Sequence, residues 1–216
     1  MTGNPLVIIA HPHLHGSSRV NRRWLSELRA HSNEFDVRDL YALYPDGQID
    51  DDAVADEQAA LESHDLIVFQ FPVYWYSCPA LLRTWMDRVL AFGWAYGGDR
   101  ALPGEPGRKL AGKRFAFATS AGDSAANYSA TGAAGFTFDE IMVPFRATVR
   151  FLGATCETHA FTLFATENDI TDSDVEASAH SYLAWLRDIA RRDDIAGERS
   201  AVMPQPSTRP MGETAL

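Results

Sequence analysis

Short apolar runs rich in β-branched residues alternate along this chain with stretches whose apolar residues recur at helical spacing. That alternation constrains the fold more than any other feature. A run of four to eight apolar residues between turn signals suits a strand buried on both faces. Leu6-Val-Ile-Ile-Ala10, Asp65-Leu-Ile-Val-Phe-Gln-Phe71 and Arg114-Phe-Ala-Phe-Ala-Thr119 read this way, with Phe35 to Arg38 a weaker strand and Glu157 to Phe164 a fifth. Between them, Ser18 to Ala30, Val54 to Glu62, Pro79 to Phe92 and Thr137 to Leu152 read as helices, and Asp172 to Arg192 as a final one. Proline in the first turn suits the third helix, whereas Pro144 should kink or split the fourth. Strand and helix therefore alternate five times. This predicts an α/β, doubly wound sandwich with a five-stranded parallel sheet in the order 2-1-3-4-5.

A length of 216 residues suits one domain with additions. The expected domain is 1–196. Residues 197–216, with three prolines and no aromatic residue, read as a tail, and Gly97 to Gly112 as a long Gly/Pro-rich loop. Hydrophobic residues at 46% and charged residues at 22% are ordinary for a globular chain and exclude a disulfide scaffold or global disorder. The net charge of −10 argues against a nucleic-acid partner. Six of the acids (Asp46, Asp50, Asp51, Asp52, Asp56 and Glu57) share one stretch without Lys or Arg, which reads as a solvated loop and helix start. Cys78 and Cys156 stand apart, as in a reducing cytoplasm. The chain has no spanning apolar run and no basic, apolar leader, so a cytoplasmic protein is expected.

In such sheets ligands bind beyond the carboxyl ends of the strands, where the first and third diverge. Three loops matter there. After the first strand, His11-Pro-His-Leu-His-Gly-Ser-Ser-Arg-Val-Asn21 leads into a helix, whose free N–H groups, hydroxyls and arginine make a phosphate cradle. It matches neither a P-loop nor a dinucleotide fingerprint. His11, His13 and His15 could meet one metal ion, but no local carboxylate or cysteine accompanies them, so no metal is expected. After the third strand, Pro72-Val-Tyr-Trp-Tyr-Ser-Cys-Pro79 puts Tyr74, Trp75 and Tyr76 in a loop, either as the wall of a flat ring or as an apolar plug. After the fourth, Thr119-Ser-Ala-Gly122 allows close backbone approach. Nothing around Cys78 marks it as a nucleophile. One cleft holding a phosphate at one end and a planar ring at the other fits flavin mononucleotide.

Those residues also carry a resemblance. Ala10-His-Pro, Ser18-Arg-Val-Asn21, Phe71-Pro-Val-Tyr-Trp-Tyr-Ser, Trp85-Met-Asp-Arg-Val89 and Gly93-Trp-Ala-Tyr-Gly97 resemble the NAD(P)H:quinone oxidoreductase family, the DT-diaphorase-like group with a flavodoxin-like fold. Leu40-Tyr-Ala-Leu-Tyr-Pro45 is similar to its bacterial branch containing the ancillary subunit of glutathione-gated potassium efflux. The resemblance spans roughly residues 6 to 190. It implies FMN, with FAD the alternative, held by His11, Ser18, Arg19, Val20 and Asn21 at the phosphate and ribityl chain. It further implies Pro72, Val73, Tyr74, Trp75 and Tyr76 along the ring, and Thr119, Ser120, Ala121 and Gly122 at its pyrimidine side. Tyr128 matches a proton-relay tyrosine. No histidine lies between Tyr128 and His159 to complete that relay. Trp94 and Tyr96 match a substrate roof, commonly donated by the other subunit of a homodimer.

The implied activity is transfer of two electrons from NAD(P)H through the flavin to a quinone-like acceptor, both substrates using one flavin face in turn. Two alternatives remain at this level: a redox-sensing regulatory subunit of a membrane transporter, and a flavodoxin-like electron carrier.

Overall fold

The computed structural model describes residues 3–97, 107–167 and 170–196. The sheet runs in the order β2-β1-β3-β4-β5, all parallel, from β1 (Leu6–Ile9), β2 (Asp36–Asp39), β3 (Leu66–Pro72), β4 (Arg114–Ser120) and β5 (Thr155–Cys156). A sixth strand, β6 (Phe161–Leu163), also pairs with β4. The single last strand read from the sequence is therefore broken. Between its two pairings the chain is two residues longer than the facing part of β4, and the bulge leaves Glu157 to accept from Arg114 at 2.7 Å.

All seven residues of β3 are buried, because the strand lies between β1 and β4 with apolar layers on both faces. Ile67, Phe69 and Phe71 point into one layer, with Trp85, Phe117 and Phe145. Leu66 and Val68 point into the other, with Trp24, Leu25, Leu28 and Leu186. The first layer is built by α3 (Asp51–Glu62), α4 (Ala80–Val89) and α6 (Val143–Phe151), the second by α1 (Val20–Ala30) and α7 (Asp172–Ala196). The chain thus leaves β1 toward one face and β3 toward the other, which opens a crevice between their carboxyl ends.

Several boundaries differ from the sequence reading for local reasons. Helix α1 starts two residues late, at Val20, with no side-chain cap. Helix α3 starts three residues early, because the Asp50 carboxylate accepts from the Ala53 N–H. A short helix, α2 (Leu40–Leu43), is capped by Asp39. The helix read over 137–152 divides into α5 (Phe138–Ile141), with a Thr137–Glu140 capping box, and α6, whose first turn contains Pro144. Residues 197–216, read as a tail, and 98–106 of the long loop lie outside the described residues.

One buried charge stands out beneath β2. Glu57 on α3 is wholly buried; it accepts from Arg38 Nη2 at 2.9 Å and from the Tyr44 hydroxyl at 2.5 Å. Arg38 Nε lies 2.8 Å from the other carboxylate oxygen, outside hydrogen-bond alignment. Arg38→Met leaves that carboxylate without its cation. A loss of about 3 kcal/mol is expected, since breaking a buried pair costs ~3–5 kcal/mol and Arg38 is partly exposed. Urea unfolding monitored by tryptophan fluorescence reads it; an unchanged midpoint contradicts the assignment.

Candidate functional site

The crevice at the switch point is a cavity of about 260 Å³. Its floor is the start of α1. The N–H groups of Arg19, Val20, Asn21 and Arg22 have no acceptor among the described residues, as expected for an uncapped first turn. Together with the helix dipole they form a positive pole facing the cavity. Ser17 and Ser18 line the same end.

His11 stands on the wall, buried, with Nδ1 accepting from the His13 N–H at 3.0 Å. Burial pushes its imidazole down to about 4, and neighbouring His13 acts in the same direction. The ring is therefore neutral near pH 7, and with Nδ1 accepting, its proton sits on Nε2. The three histidines diverge: His13 lies on the rim and His15 pairs with Asp39 at 2.6 Å. No group of three His, Cys, Asp or Glu suited to a metal occurs among the described residues.

The loop after β3 is a tight reversal. Tyr74 N–H donates to Ser77 O and Ser77 N–H to Tyr74 O, each at 3.0 Å, around Trp75 and Tyr76 at φ 49° and 58°. A two-residue turn with both φ positive usually takes Asn-Gly; bulky aromatics there cost about 1–3 kcal/mol each. The strain holds Trp75 outside the protein, 94% exposed, and sets Tyr76 at the mouth of a second cavity of about 210 Å³. Tyr128 lines that cavity too, edge-on to Tyr76 with ring centroids 6.4 Å apart. Burial, with Asp123 and Tyr76 nearby, raises the Tyr128 hydroxyl above its ordinary value, so it stays protonated at neutral pH. The N–H groups of Trp75, Tyr76 and Gly122 have no partner among the described residues and remain available to a ligand edge.

The structure redistributes the residues expected at the site. His11, Ser18, Arg19, Val20, Asn21, Pro72, Val73, Tyr74, Ser120 and Gly122 line the first cavity. Val73, Trp75, Tyr76, Gly122 and Tyr128 line the second. Thr119 and Ala121 stand behind the wall. Thr119 is buried with its hydroxyl 2.8 Å from that of Thr162, and the Ala121 N–H is spent on Leu163 O. The Asn21 side chain is turned inward, donating to Ser120 Oγ at 2.8 Å. The Arg19 guanidinium binds Asp172 at 2.7 Å and Ile170 O at 3.0 Å. Trp94 donates to Glu62 at the amino end of the sheet, so neither it nor Tyr96, against Phe92 and Phe151, lines its own chain's cleft.

Glu167 was not foreseen. It lines both cavities, and its carboxylate has no partner among the described residues. A turn with Ala165 at φ 59° presses 165–167 onto 121–123 through N–H bonds from Ala165, Thr166 and Glu167 to Asp123, Ala121 and Gly122. A Cβ at position 122 would lie 2.8 Å from the Glu167 carboxyl carbon, so a side chain there would push the Glu167 carboxylate out of its present position. An isolated Ala-Thr-Glu carries no sequence signal for it.

The profile of the flavodoxin-like fold family matches residues 4–186. The chain belongs to that family. Over 182 residues it is 40% identical to the Bacillus subtilis protein named uncharacterized NAD(P)H oxidoreductase YrkL, covering 84% of this chain and 97% of that one. Over 150 residues it is 41% identical to KefF of Salmonella arizonae, named as an ancillary protein of a glutathione-regulated potassium-efflux system, covering 69% and 77%. Among solved structures, general stress protein 14 of Treponema denticola, crystallised with FMN, superposes with a TM-score of 0.75 at 41% identity, covering 85% of this chain and 98% of that one.

His11 gives the site a pH signature. Unfolded, its imidazole takes up a proton near pH 6.5; folded, only near 4. Between those values the unfolded state binds more protons, so stability falls as pH drops from 6.5 to 4. His11→Asn should flatten that part of the acid limb in thermal melts. An identical slope in both proteins contradicts a neutral, buried His11.

Proposed function

We propose that the chain is an FMN-dependent NAD(P)H oxidoreductase that passes two electrons to a quinone-like acceptor. The observation that carries this reading is one crevice with an uncapped helix start at one end and a strained aromatic turn at the other. Phosphate suits the first-turn N–H groups of α1, and the ring edge suits the free N–H groups of Trp75, Tyr76 and Gly122. The FMN held by the Treponema relative supports FMN over FAD, and the name of YrkL supports NAD(P)H as donor.

Bound flavin supplies a two-electron carrier between nicotinamide and acceptor. The chain binds, orients and manages protons. His11, neutral, offers an Nε2–H without adding charge to the cavity. Reduction of a quinone by hydride also consumes one proton. The Tyr128 hydroxyl holds a proton at the wall of the second cavity, and the free Glu167 carboxylate lines that cavity with it. Because one slot serves both substrates, they bind in turn.

A homodimer completes the reading. Phe92, Tyr96 and Phe151 form an exposed ring-to-ring patch at the amino end of the sheet, 74%, 36% and 67% exposed. A second copy covering it would bring Tyr96 over a partner's slot as a roof, which Tyr96 cannot provide to its own. The likeness to KefF supports a second reading, docking on a membrane transporter, with the acidic first turn of α3 as the contact face.

The purified protein should bind FMN at micromolar concentration or tighter and oxidise NAD(P)H when a benzoquinone is present. Tyr128→Phe should retain flavin and lose about a hundredfold or more of quinone turnover, within the ~10²–10⁴ range of general acid catalysis. Absence of binding to either FMN or FAD defeats the proposal; flavin binding without quinone-dependent turnover removes the acceptor.

A further inference from the structure

Behind the start of α1 lies a chain of four buried polar side chains, of which two, Gln70 and Tyr182, line neither cavity. It begins on α7, where the Tyr182 hydroxyl donates to Gln70 Oε1 at 2.9 Å. Gln70 sits in the middle of β3, and its Nε2 lies 3.2 Å from both the main-chain oxygen and Oδ1 of Asn21, in the first turn of α1. Asn21 Nδ2 then reaches Ser120 Oγ, the last residue of β4, at 2.8 Å. Tyr182 and Gln70 are wholly inaccessible, and Asn21 and Ser120 nearly so.

A glutamine side chain in the central strand of a sheet is costly to bury unless each of its atoms is paired. Here the amide is paired on both sides, with Tyr182 on α7 and with Asn21 on α1, whose first turn lines the crevice. Gln70 is the one polar side chain of β3. Apolar contacts from Trp24, Leu25 and Leu28 hold α1 against the sheet but tolerate small slides. A directional hydrogen bond to the second residue of the helix does not. Asn21 and Ser120 both line the cavity whose floor is the free N–H row of residues 19 to 22.

We infer that Gln70 and Tyr182 are positioning residues: through Asn21 they fix the first turn of α1 against β4, so that its N–H row is held in register for a phosphate monoester. They touch no ligand themselves. The inference rests on the proposed placement of the phosphate at α1. It implies that the relay serves discrimination between FMN and its dephosphorylated form, riboflavin, because only the phosphate reads the position of that turn.

The test is titration of FMN and of riboflavin into the apo-protein, followed by flavin fluorescence, with thermal melts alongside. Tyr182→Phe removes one hydroxyl and leaves Gln70 Oε1 unpaired. Its FMN dissociation constant should rise about five- to tenfold, the scale of one lost buried hydrogen bond, while that for riboflavin moves less than twofold. The double variant Gln70→Leu/Tyr182→Phe removes the hydroxyl and the amide together but leaves the buried Asn21 oxygens without the Gln70 donor, so it should melt no higher than Tyr182→Phe does. It should still lose the preference for FMN. Ile189→Val, in the same α7 layer, should lower the melting temperature and leave the ratio of the two constants unchanged. Equal loss of both flavins in the relay variants, or no loss of either, overturns the inference. Wild-type protein that binds riboflavin as tightly as FMN overturns instead the phosphate placement on which it rests, and the inference with it.

Discussion

The complete burial of β3 is the constraint on which the rest depends. Flanked by β1 and β4 and covered on both faces, the strand must be apolar on every residue except where a polar group is paired inside the core. The burial on two sides requires helices on both faces, and those helices require crossovers leaving β1 and β3 in opposite directions. The crevice is the geometric residue of that requirement. Its position follows from the sheet order, and its chemistry from what the two diverging loops contain.

Two kinds of strain then shape the crevice. Trp75 and Tyr76 occupy left-handed backbone positions that neither favours, and Ala165 does the same across the cleft. Each is held by flanking main-chain hydrogen bonds: the reciprocal pair Tyr74–Ser77 on one side, the three bonds from 165–167 to 121–123 on the other. The cost falls on the walls of the site and not on the sheet beneath it. In return the walls present N–H groups and one carboxylate without partners among the described residues, and two phenols, around a flat slot.

Most of the fold was legible because period and punctuation carry it. The run at Leu66 to Phe71 could be little else than a buried strand, and Pro144 marked the division between α5 and α6. The broken last strand was not legible, since no Gly or Pro interrupts Glu157 to Phe164; the break comes from register against β4. At the site, the loops were legible and the directions of side chains were not. Nothing local states that Asn21 turns inward to Ser120, that Thr119 spends its hydroxyl on Thr162, or that Trp94 faces Glu62 at the other end of the sheet. Glu167 enters through a backbone angle at Ala165, and sequence patterns do not encode a positive φ on alanine.

The central claim is that one crevice, floored by the first turn of α1 and walled by the loops after β3 and β4, receives a flavin phosphate and ring together. Amide-resolved NMR during FMN titration tests it most directly. The account predicts that the largest shifts fall on the N–H groups of Arg19 to Arg22, Trp75, Tyr76 and Gly122, all of which lack partners among the described residues. Shifts concentrated instead around Arg23, Ser26 and Glu176, which line a separate cavity between α1 and α7, would contradict it.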